Sequence, residues 1–183
     1  MSIFEYVVTL LTFVLGLGIT NNLRVIAVLD FDSDSAKSYV SLAWLVSLIA
    51  LQLDYWFVLW TFRDATTWSL FHILLFIAIA VVLFLAGAFL GKSGLDRKAL
   101  VTVLCWFPLV AVHGTYFLGQ PIGSEGKLRV LVGFLLAAPL LSATSAKWRI
   151  GLSCAFLVWA VFMLVAGGDT AIGNFTIREP AAP

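Results

Sequence analysis

The chain predicts an all-α protein, a polytopic transmembrane bundle of six helices, and three observations carry that expectation. Hydrophobic residues make up 62% of the 183 positions and charged residues 11%, against about 25% charged in a soluble domain. The apolar excess is gathered into long stretches, and a helix needs about 20 predominantly apolar residues to cross the hydrocarbon. Six such stretches take up nearly the whole chain, and the segments that join them are short and rich in glycine, proline and charge. Residues 1–167 read as a single transmembrane domain and 168–183 as a flexible polar tail.

Helix one is expected from about Phe4 to Leu29, and it is read as retained. MSIFEY lacks the positive leader of a signal peptide, and the apolar run is too long for a cleaved core. Glu5, Thr9, Thr12, Gly16 and Thr20 recur at helical spacing on one face, which is expected to turn towards other helices because lipid is as apolar as leucine. Asp30, Asp32 and Asp34 follow in a turn that lacks the glycine and distal glutamate of a calcium loop, so it reads as a solvated acidic connection.

Helix two, about Tyr39 to Phe62, carries Gln52 and Asp54, two residues apart and therefore on nearly opposite sides. Polar groups on both flanks place it inside the bundle. A turn flanked by Trp60 and Trp68, suited to the headgroup level, leads into helix three, about Thr67 to Leu90. There Gly87 and Gly91 form a GxxxG pair that permits close approach of a neighbour. Helix four, about Lys98 to Leu118, contains Pro108, which frees the Leu104 carbonyl and should kink the helix. Helix five, about Lys127 to Ser145, contains Pro139 and the small pair Gly133/Ala137. Helix six, about Trp148 to Ala166, has Gly151 and Ala155 similarly spaced.

Charge and cysteine content exclude several classes. A formal net charge of +1 leaves no basic surface for nucleic acid. Cys105 and Cys154 enter their helices from the same side but read as small apolar residues, and metal-finger spacing is missing. Neither a cofactor nor a metal is expected, and no catalytic residue is assigned, because no arrangement of nucleophile, base and orienting group can be drawn. The chain therefore reads as leaning away from an enzyme. Of the 11 Lys and Arg residues, Arg24, Lys37, Lys92, Arg97, Lys98, Lys147 and Arg149 fall after helices one, three and five. Arg63, Lys127, Arg129 and Arg178 fall on the other side. The positive-inside rule then puts both termini outside, in what reads as a bacterial cytoplasmic (inner) membrane.

Depth singles out the residues that could carry function. Asp54 lies roughly 12 Å from its end of helix two, and His72 and His113 roughly 7 to 8 Å from the same side, at about 1.5 Å per residue. Glu5, Thr9 and Thr12 occupy that half as well. Together these six form the expected ligand- or proton-binding set, a polar pocket opening to one side. An isolated charge there costs about 2.5 to 3.5 kcal/mol, and no lysine or arginine is expected at its depth. Asp54 is therefore read as the neutral acid, hydrogen-bonded to a threonine, a histidine or the backbone. Its bland reading is an interhelical hydrogen bond that sets register. For the histidines, interfacial hydrogen bonding is a simpler reading than a haem or metal pair, which two residues without supporting spacing do not favour.

The segments LGLGIT in helix one and QLDYWFVLWTFRDATTWSL across helices two and three resemble small uncharacterised bacterial six-helix integral membrane proteins. That resemblance spans about the first half of the chain and implies architecture alone. Two functions follow as expectations. One is a transporter-like protein that binds a proton, a cation or a small solute around Asp54. The other is a non-catalytic membrane subunit or scaffold that binds a second copy or a larger membrane complex through its helices.

Overall fold

The structure, a computed structural model, describes residues 3–31, 35–60, 62–63, 68–93, 95–116 and 125–173. These residues form six α-helices and one 3₁₀ turn: α1 (Ile3–Ala27), α2 (Ser35–Trp60), α3 (Leu70–Ser93), α4 (Arg97–Tyr116), α5 (Glu125–Ala137), the 3₁₀ turn Ala138–Leu141, and α6 (Ala146–Gly173). Four of them, α1, α2, α3 and α6, are long and apolar enough to cross a membrane. The outer surface fits that environment, since Phe13, Leu17, Val158 and Phe162 are all exposed large apolar side chains. In water they would form the kind of patch a monomeric protein avoids.

The helices follow one another around a closed circuit. α1 packs on α3, α3 on α4, α4 on α5, α5 on α6, α6 on α2, and α2 back on α1. The pairing of α2 with α6 is the most extensive, and α2 also touches α3. As a result 61% of the membrane-length window of α2 is buried, against 44% for α3 and less for α1 and α6. The central position expected of the helix with polar residues on both flanks is the position it takes.

Close helix contacts sit where glycines allow them. A Cβ at Gly87 would overlap the Asn22 side chain, and one at Gly91 would press on Val25, so the GxxxG pair of α3 is the seat of α1. At Gly133 a Cβ would run into the Trp159 and Phe107 rings. That glycine admits the aromatic cluster joining α4, α5 and α6, in which Phe107 lies 5.8 Å from Trp159 and 5.9 Å from Phe134. Gly151 has nothing within 4 Å and plays no such part.

Two boundaries differ from the sequence expectation. Helix five stops at Ala137, because Pro139 has no N–H to bond the Leu135 carbonyl, and the chain tightens into the 3₁₀ turn. Its 13 residues cover about 20 Å at 1.5 Å each, short of the roughly 30 Å of hydrocarbon. α6 in turn continues to Gly173, into the first residues of the expected tail. The rest of that tail, Asp32 and Asp34 of the acidic turn, and the last residues expected of helix four lie outside the described residues. Pro108 is accommodated within α4 on an exposed side.

Candidate functional site

Asp54 sits six residues before the end of α2 and is 6% exposed. Burial is the main influence on this carboxyl, and the charge of Arg129 on α5 acts on it as well. From sequence, Arg129 is counted with Arg63, Lys127 and Arg178 among the charges of one side. α5 in fact begins at Glu125, which sets Arg129 a full turn inside the helix. Its surroundings hold it there. The Trp159 indole N–H donates to the Arg129 carbonyl at 3.0 Å, and the guanidinium carbon lies 5.5 Å from the centre of the Phe162 ring. Arg129 thus sits against α6, the helix on which α2 also packs.

The two histidines form a second, separate group. His72 belongs to the start of α3: the Ser69 backbone N–H donates to His72 Nδ1 at 3.2 Å, and the His72 N–H donates to Ser69 Oγ at 3.3 Å. This is a reciprocal cap, with the histidine in the place a glutamate usually takes. His113 is 3% exposed, with its ring 4.8 Å from Phe76 and 5.3 Å from Phe62, edge-on to both. The two imidazoles are close enough for the charge of one to act on the other. Tyr55 marks the direction of this group, since its hydroxyl donates to the Phe76 carbonyl at 3.0 Å. Asp54 is the next residue back along α2, about 100° around the helix.

Glu5, Thr9 and Thr12 belong to neither group. All three are exposed, as are Gly16 and Thr20, so the face of α1 expected to turn inward turns outward. The buried stripe of α1 is Phe4, Val7, Leu11, Leu15, Gly18 and Asn22. Large apolar side chains fill the interior better than threonines do, and a threonine can satisfy its own hydroxyl on the helix. Thr9 Oγ1 donates to the Glu5 carbonyl at 2.7 Å, and Thr12 Oγ1 accepts from the Trp56 indole at 3.3 Å. The result is a shallow groove of about 420 Å³ on the outside of α1 and α2, floored by Gly16 and flanked by Trp56 and Trp60.

Asn22 of α1 and Gln52 of α2 occupy a demanding setting. Both are fully buried, and neither the nitrogen nor the oxygen of either carboxamide has a hydrogen-bond partner among the described residues. Gln52 lies against Gly18 and Asn22 against Gly87, with Gly18 and Asn22 one helical turn apart. No group of three or more His, Cys, Asp or Glu side chains able to hold a metal ion occurs among the described residues. Compared with known proteins, the chain matches no family model, no curated protein and no solved structure.

Proposed function

We propose that this is a six-span protein of a bacterial inner membrane, with both termini outside, that binds a proton, a cation or a small solute at Asp54 in a transporter-like manner. The observation that carries the reading is the buried carboxylate of α2 acted on by Arg129 from a different helix. Taking two opposite charges out of water is costly, and hydrophobic residues of similar volume often serve stability as well or better. Ionisable groups within membrane spans mark ion, proton and substrate paths. A cation or a proton that neutralises Asp54 would remove the charge on which Arg129 acts. The short α5, ended at Pro139, is the helix with least of its own length to hold it in place.

The test is uptake into proteoliposomes driven by a pH gradient, compared for the native chain, Asp54→Asn, Asp54→Ala and Arg129→Gln. The expected outcome is a folded Asp54→Asn protein whose pH-dependent uptake falls about tenfold or more, equivalent to at least about 1.4 kcal/mol. Uptake unchanged in both Asp54 variants overturns the reading.

A second reading, a subunit or scaffold that binds a further copy or a larger membrane complex through its helices, is favoured by the open face of α1, where nothing lies within 4 Å of a Cβ built on Gly16. Small residues on an exposed helix face suit close helix docking. On this reading Asp54→Asn is nearly silent, because the amide can still hydrogen-bond.

A further inference from the structure

At the end of the bundle opposite Arg129, a cavity of about 180 Å³ opens between the starts of α2 and α6 and the segment leading into α4. On the same kind of measure one water needs roughly 15 Å³, so the space admits a polyatomic ligand. Among the described residues, its polar lining comes from the side chains of Lys37, Ser41 and Arg149. Ser41 is 7% exposed, and among the described residues its hydroxyl has no hydrogen-bond partner. Arg149 Nη2 donates to the Leu95 carbonyl at 2.8 Å, which uses one of the five N–H donors of the guanidinium and fixes the fork at the cavity wall.

The backbone adds to the same sign. Ala36 and Lys37 are in the first turn of α2, and Ala146 opens α6. First-turn N–H groups have no acceptor within their own helix, and each helix start carries about half a positive charge. Neither α2 nor α6 has an acidic residue in its first turn to offset this. Acids do occur near this end of the bundle, and Asp32 and Asp34 directly precede α2 in the sequence. Asp96 caps α4, accepting from the Ala99 N–H at 2.8 Å, and Asp30 accepts from the Ser38 hydroxyl through its carbonyl. Neither lines the cavity. Among the described residues, the polar lining is therefore made of donors and positive charge around the Ser41 hydroxyl.

We propose that this cavity binds a phosphate group, held by the Arg149 fork, Lys37, Ser41 Oγ and the first-turn amides of α2 and α6. The phosphate could belong to an anionic lipid of the adjoining leaflet or to a free phosphate ion, since both present the same oxygens to the same donors. The site is independent of Asp54 and lies at the other end of α2.

The experiment uses the full chain purified in neutral detergent. In one arm, native mass spectrometry counts phosphatidylglycerol against phosphatidylcholine retained from mixed micelles. In the other, the thermal midpoint is followed with inorganic phosphate, against chloride at equal ionic strength. Retention of phosphatidylglycerol without a response to phosphate assigns the lipid headgroup, and a response to phosphate without lipid preference assigns the free ion. In either case Lys37→Gln combined with Ser41→Ala should weaken binding about tenfold or more, the scale of losing a charge-assisted hydrogen bond. Arg149→Lys, which keeps the charge but loses the fork, should weaken it while the chain stays folded. A wild-type response in the Lys37→Gln/Ser41→Ala protein overturns the proposal. So does a chain that discriminates neither lipid nor phosphate.

Discussion

At the scale of single residues, the glycines divide into those that meet a neighbour and those that meet nothing, and this division yields a direct prediction. Gly18→Ala drives a methyl group into the Gln52 amide and Gly87→Ala into that of Asn22. Each should lower stability by about 1–3 kcal/mol, the usual cost of overpacking. Gly16→Ala and Gly151→Ala, which meet open space, should be neutral or slightly stabilising through helix propensity. Gln52→Leu removes a buried amide without partners, which itself costs about 1–3 kcal/mol, and should leave stability equal or higher. Reversible unfolding in detergent micelles, followed by tryptophan fluorescence, checks the whole set. The sequence already showed Asn22 and Gln52 as polar residues within spans. It could not show what faces them, because spacing places a residue on a helix without saying which neighbour that helix turns to. Arg129 was missed for the same reason. Its electrostatic influence on Asp54 depends on how far into α5 it sits and on α5 and α2 both packing on α6.

At the scale of elements, α2 and α6 carry the bundle. Trp44 of α2 donates from its indole nitrogen to Ser153 Oγ at 3.0 Å, and its ring stacks on Phe156 at 4.3 Å. Ser153 Oγ in turn donates to the Arg149 carbonyl at 2.7 Å. Trp44 is therefore both a filled volume and a register pin. Trp44→Ala should cost about 3–5 kcal/mol, while Ser153→Ala should cost about 1 kcal/mol, because the stack survives it. The measurement is the unfolding midpoint of the two variants side by side. The existence and order of the helices were legible in the apolar stretches, and most boundaries fall within a few residues. Helix five was not legible in the same way, since hydropathy does not register the effect of Pro139 on the ladder. The face of α1 was misjudged because hydroxyls that bond their own backbone need no protein neighbour.

At the scale of the whole molecule, the proposed six crossings would bring the links after α1, α3 and α5 to one end and those after α2 and α4 to the other. On the six-span reading, single cysteines placed at Phe31 and Lys98 should react with a membrane-impermeant maleimide from one side of sealed vesicles, and those at Arg63 and Lys127 from the opposite side. Labelling of all four from the same side would exclude that topology. The experiment gains from the native thiols. Cys105 and Cys154 are free and exposed on the outside of α4 and α6, about 12 Å from the ends of their helices at 1.5 Å per residue. On the six-span reading that depth is acyl chain for both, where a charged reagent cannot follow. The natural cysteines can therefore stay in place as silent background for water-soluble probes, while a greasy spin label would find in them two fixed stations for sensing oxygen and lipid order from within the hydrocarbon.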